Sequence, residues 1–366
     1  MTVRRLLAAA VSAMALLIAL PPASLARKGD VYVADGDASV IWKFARDGGE
    51  PAKLASGGLL GAPVGMALDR DGSLLVASQL HDDEILRVDR HTGAISSVIS
   101  KVFPYDVARG ADGMLYVTSL GRLVRVNPRT RSFEVVSSDP AISGATGLAL
   151  TRAGIAYVAD WDTSTIQAID LRDGSLGRAL SDPSLDNPAG LALSADERFL
   201  YAAGANSDNI VRFNARTGDA SEVVALGDAH AVSLFPDGSL LVSESDLIPH
   251  GILSRVGPSG APVEVFSDDS ELDFPHESVI EPKRCRGRFP TVVGTTGRDK
   301  LKGSRFADVI STLGGNDKVN AGKGKDIVCA GKGKDRLKGG KGKDWLKGGK
   351  GKDKLKGGPG KDKEIQ

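Results

Sequence analysis

Between residues 63 and 270 the hydrophobic residues come in alternating runs of four to six, each cut by a polar turn, and a helical 3.6-residue period is missing throughout. Alternation of this kind predicts short strands rather than helices. One phrase recurs, as Gly65-Met-Ala-Leu, Asp106-Val-Ala-Arg, Gly147-Leu-Ala-Leu, Gly190-Leu-Ala-Leu and Ala231-Val-Ser-Leu, in steps of 41, 41, 43 and 41 residues. Behind it comes a turn, clearest at Asp71-Gly72, Asp112-Gly113 and Asp237-Gly238. A β-rich segment such as Leu74 to Ala77 follows, then a third such as Ile85 to Val88, and a short fourth. Four short antiparallel strands per unit predict propeller blades. Residues 31 to 56 supply three strands of a further unit, and the missing innermost strand has a candidate at Phe274 to Ile280. A blade shared between both chain ends would close the ring at six and cover its open edges.

From Gly294 a second period takes over. Aspartate recurs every nine residues, at Asp299, Asp308, Asp317, Asp326, Asp335, Asp344, Asp353 and Asp362, with glycines before it. An aliphatic residue stands two places behind each aspartate, from Leu301 to Leu355, until Glu364 ends the column.

The first phrase, Pro-x-Gly-hydrophobic-Ala-hydrophobic followed by Asp-Gly, resembles NHL-type propellers and the gluconolactonase and streptogramin lyase superfamily. The second is similar to the RTX, or hemolysin-type, nonapeptide Gly-Gly-x-Gly-x-Asp-x-hydrophobic-x, most complete at Gly339 to Lys347 and Gly348 to Lys356. Together they imply an all-β chain: a six-bladed β-propeller followed by a parallel β-roll, two nonapeptides to a coil. The RTX resemblance implies calcium as cofactor, held by the eight aspartates and by carbonyls exposed in the glycine turns. Departures from the repeat include Thr295 and Ser304 at the second position, Ala321 and Ala330 at the first, and lysine in both variable turn positions at Lys323/Lys325, Lys332/Lys334, Lys341/Lys343 and Lys350/Lys352. Positive charge there lowers the expected calcium affinity, and a lysine-rich disordered tail is the competing reading.

On a propeller, the positions that open the innermost strands share a face with the loops joining the second and third strands. Four of the five histidines map to that face. The sharpest subset is His230, Glu244, His276 and Glu277, from neighbouring blades once the ring closes; it suits general acid/base work or a divalent metal. The lactonase resemblance implies a metal held by Glu, Asn and Asp, for which Asn206 and Glu244 are positional candidates. The lyase resemblance implies a His and a Glu, for which His276 and Glu277 stand. Polar residues in exposed loops need no such role, so two function classes stay open: a binding platform with an unknown ligand, and a metal-dependent lactonase or lyase.

Charge and cysteines change the picture at the domain level. Residues 27–282 carry 21 basic and 37 acidic side chains, whereas 283–366 carry 24 and 9. The basic unit attracts anionic cell-wall polymer or membrane surfaces. Specific nucleic-acid recognition is not expected, since aromatic interleaving is limited to Trp345. Residues 1–26 join Arg4 and Arg5 to an apolar run from Leu6 to Leu20 and a small-residue exit at Ser24-Leu25-Ala26, the pattern of a secretory signal peptide. The expected division is then signal peptide 1–26, propeller 27–282, linker 283–293 and repeats 294–366, secreted or held at the cell surface. In an oxidising compartment Cys285 and Cys329 either pair or remain two buried thiols.

Overall fold

The computed structural model describes residues 30–80, 82–245 and 250–366. The signal segment expected at 1–26, with His81 and Asp246, lies outside the described residues. Among the described residues there is no α-helix, and so none long and apolar enough to cross a membrane.

Six four-stranded antiparallel sheets form the blades. Blade 1 is completed by Pro275–Ile280, which pairs with Asp30–Asp35 through Val31↔Ile280 and Tyr32↔Val279, so the first and last strands of the propeller share one sheet. Blades 2 to 6 run in chain order, their innermost strands being Pro63–Leu68, Pro104–Arg109, Ala145–Leu150, Pro188–Leu193 and Ala229–Leu234. The second strand of each blade is buried on both faces, which is why Leu74–Ser78 and Leu240–Glu244 depart from strict alternation. Outermost strands such as Leu176–Leu180 are largely exposed. Separate apolar clusters fill the gaps between neighbouring blades: Tyr32, Ile41, Leu74 and Leu86 join blades 1 and 2, and Val33, Trp42, Phe235 and Leu253 join blades 1 and 6.

The nonapeptides wind into a parallel solenoid of two sheets. One runs through Val292–Val293, Val309–Ser311, Ile327–Lys332, Trp345–Lys350 and Lys363–Ile365; the other through Lys300–Lys302, Lys318–Gly324, Arg336–Gly342 and Lys354–Lys356. Partners stand two nonapeptides apart, as in Leu301↔Val319↔Leu337↔Leu355, and the aliphatic column stacks inside with Ile310, Val328 and Leu346. Its first rung, Val292–Val293, precedes the boundary expected at Gly294.

The solenoid's first coils sit against the propeller face where the innermost strands end. Thr296 N donates to Pro236 O (2.9 Å), and Ala195 packs on the solenoid core. Phe289 is buried, with the guanidinium of Arg90 at 4.8 Å and that of Arg284 at 4.1 Å from its ring centre. Arg90 also pairs with Glu281 at 3.1 Å. Cys285 and Cys329 form a disulfide between the connecting segment and the solenoid wall.

Candidate functional site

With one face of the propeller capped, the opposite channel mouth remains as a cavity of about 790 Å³. It is lined by the residues that open the inner strands, Val64, Tyr105, Thr146, Ala189, His230 and His276, and by those one step further in. At the inner step four blades carry Gly65, Gly147, Gly190 and Ala231, while two carry Asp106 and Glu277. The small residues let the strands converge: a Cβ at Gly65 would stand 2.6 Å from the Asp106 carboxylate. Gly65 thus separates the two carboxyl-bearing strands. Burial raises the pKa of both groups, and that of Glu277 rises further through repulsion by Asp106. Asp106 is also tied down, accepting from Val107 N (2.6 Å) and Leu148 N (2.8 Å), so it braces blades 3 and 4. Glu277 makes a longer contact with Ser233 Oγ (3.4 Å).

His230 and His276 stand with ring centres 6.0 Å apart, and Phe274 lies edge-on to both at 4.9 and 4.7 Å. His230 Nε2 donates to Asp228 Oδ1 (3.0 Å), yet burial outweighs that carboxylate and lowers its pKa. Burial, with His230 second, pushes His276 down to about 4, while Asp35 acts weakly the other way. The imidazoles are therefore neutral at pH 7, beside a carboxyl that resists ionisation. Such a set accepts and donates protons without carrying net positive charge.

Three of the four expected mouth residues are brought together: His230, His276 and Glu277. Glu244 is not. It ends the strand Leu240–Glu244, is buried opposite Ala229, and does not line the cavity. Asn206 hydrogen-bonds Asn187 away from the cavity lining. Sequence reasoning missed Asp228 and Phe274, which orient the imidazoles; the spacing Asp228-x-His230 was the available signal. Among the described residues no three His, Cys, Asp or Glu side chains converge to hold a metal ion.

The solenoid aspartates form a second constellation. The amide of each donates to Oδ1 of the aspartate two nonapeptides on: Asp299 to Asp317 (2.9 Å), Asp308 to Asp326 (2.9 Å), Asp317 to Asp335 (2.8 Å), Asp326 to Asp344 (3.0 Å), Asp335 to Asp353 (2.9 Å) and Asp344 to Asp362 (2.9 Å). The second oxygen, Oδ2, of Asp317, Asp326, Asp335, Asp344 and Asp353 is buried with no hydrogen-bond partner. An orphaned carboxylate oxygen is expensive, and burial, with neighbouring aspartates, pushes Asp326 up to about 7. Oxygen-only donors of this kind fit calcium, with backbone carbonyls completing a site that two carboxylates do not fill. The turn lysines Lys323, Lys325, Lys341 and Lys343 are exposed.

Residues 293–328 and 330–363 match the RTX calcium-binding nonapeptide repeat in four copies. The chain is similar in fold to a chain of a nidogen/laminin complex (TM-score 0.60, 16% identity, 70% of this chain and 100% of that one). It is likewise similar to a streptogramin B lyase (TM-score 0.51, 14%, 69% and 87%) and to a virginiamycin B lyase from Staphylococcus aureus (TM-score 0.50, 16%, 66% and 82%). Likeness at such identity shows the propeller fold alone. No curated protein matches the chain.

Proposed function

We propose that this is an exported, calcium-stabilised propeller whose open mouth binds a small ligand through His230, His276 and Glu277, and whose solenoid anchors it to an anionic wall polymer. The observation that carries the binding role is the capping of one propeller face by the solenoid, which leaves the imidazole and carboxyl groups lining the opposite mouth. A soluble-compound library tested by thermal shift checks it: a true mouth ligand raises the melting temperature of the full chain and loses that effect in His276→Ala. Export predicts a secreted product whose N-terminus is Arg27. A second reading, a lyase or hydrolase, is favoured by the imidazoles with lowered pKa beside a Glu277 carboxyl whose pKa burial raises, and by the lyase-like fold. It predicts turnover of that ligand, abolished in His276→Ala, where the platform predicts binding without turnover.

The anchoring role is supported by one sheet face. Lys300, Lys318, Arg336 and Lys354 stand in one register row and Lys302, Asn320, Lys338 and Lys356 in the next, all exposed. Rows of charge at the ~4.8 Å strand spacing match a linear polyanion. Co-sedimentation with polyphosphate-type polymer, weakened in Lys338→Ala/Lys356→Ala, supports it; binding to anionic vesicles alone would replace the polymer by a membrane.

A further inference from the structure

The eight turns of the solenoid are not alike, and the difference follows the second position of the nonapeptide. Where that position is Gly322, Gly331, Gly340 or Gly349, the backbone has φ between 102° and 112°, a conformation that favours glycine. Those turns stack so closely that a Cβ at Gly340 would stand 2.0 Å from Gly322 O, and one at Gly349 2.1 Å from Gly331 O. Their aspartates, Asp326, Asp335, Asp344 and Asp353, each keep a buried Oδ2 without a hydrogen-bond partner. At Asp317, whose turn carries Leu313 in the left-handed region, the oxygen is orphaned as well.

The first two turns are built differently. Thr295 and Ser304 occupy the second position, and neither adopts positive φ. Thr295 N donates to Asp299 Oδ2 (2.7 Å) and Thr295 Oγ1 to Asp299 Oδ1 (3.1 Å). Ser304 N and Ser304 Oγ both donate to Asp308 Oδ2 (2.6 and 2.9 Å), while Thr291 Oγ1 donates to Oδ1 (3.1 Å). Both carboxylates are thus satisfied within the protein, by the amide and hydroxyl of the residue four places earlier. A cation there would have to displace those donors, whereas at Asp317, Asp326, Asp335, Asp344 and Asp353 it meets an Oδ2 without a hydrogen-bond partner. These two turns also belong to the coils nearest the propeller, where Thr296 N reaches Pro236 O.

We infer that the solenoid is divided: the turns at Asp299 and Asp308 take no cation, their hydroxyls standing in for it, and calcium loads only the turns from Asp317 outward. The base on the propeller is then metal-independent, and the distal coils are ordered by calcium. This rests on the calcium reading above, and the test separates the two. Bound calcium is counted by equilibrium dialysis on the full chain. Asp299→Asn/Asp308→Asn should leave the number unchanged, and Asp335→Asn/Asp344→Asn should lower it. A fall in the first variant overturns the division while leaving calcium binding intact; a wild-type chain that binds none removes the calcium reading itself. Should the first variant fail to fold, Thr295→Ala/Ser304→Ala decides. A melting temperature lowered by roughly 2–4 °C equally with calcium and with chelator supports hydroxyl clasps; a loss confined to calcium-containing buffer makes those residues cation ligands and overturns the division.

Discussion

The Asp35 carboxylate accepts from Ala38 N (3.1 Å), Trp42 Nε1 (3.1 Å), Asp273 N (2.9 Å) and Phe274 N (3.0 Å), and is fully buried. It ties the start of blade 1 to the turn before the strand that completes it, and places Phe274 against both imidazoles. Asp35→Ala leaves several buried donors unsatisfied, and a loss of about 3 kcal/mol or more is expected in urea unfolding. Gly36 lies under His276, where a Cβ would stand 2.8 Å from the ring. Gly36→Ala should therefore move the His276 ring resonances. His276 should titrate near pH 4 by NMR instead of about 6.5. The folded state holds this imidazole neutral, so its contribution to stability is fully present above pH 6.5 and is lost as pH falls from 6.5 towards 4. Glu277, raised by burial, acts in the opposite sense, so the His276→Asn difference across that window isolates the imidazole. At this scale His230, His276 and Glu277 were legible because they sit at fixed offsets in a repeated phrase. Glu244 stands apart from them because it ends the second strand of its blade, opposite Ala229, and not the innermost strand.

Among the elements, both repeats were legible because period is a property of sequence: the 41-residue step set the blades and the nine-residue step the rungs. What sequence left open was which groups in each rung are satisfied, since the orphaned Oδ2 atoms and the Thr295 and Ser304 clasps appear only with the backbone angles. The disulfide, likewise open in sequence, fastens the connecting segment to the solenoid across 44 residues. In a loop-entropy account that separation corresponds to about 4 kcal/mol, so Cys329→Ser should lower solenoid stability by up to that amount in denaturant titrations, and wild type under reductant should match it.

For the molecule as a whole, the charge division seen in sequence becomes a contact, the basic solenoid seated on the acidic propeller through a small apolar and arginine-lined joint at Phe289. Phe289→Ala removes that plug at an expected cost of about 3 kcal/mol, and should split one calorimetric transition into two as propeller and solenoid unfold apart. The shared blade has a further consequence, for biosynthesis. The donors that complete Asp35 lie 238 and 239 residues downstream, so a growing chain presents blade 1 with a vacant edge until those residues emerge. No truncated product ending before Ile280 closes its circle, and a nascent chain must be shielded from strand-by-strand association with its neighbours until the closing strand Pro275–Ile280 has emerged.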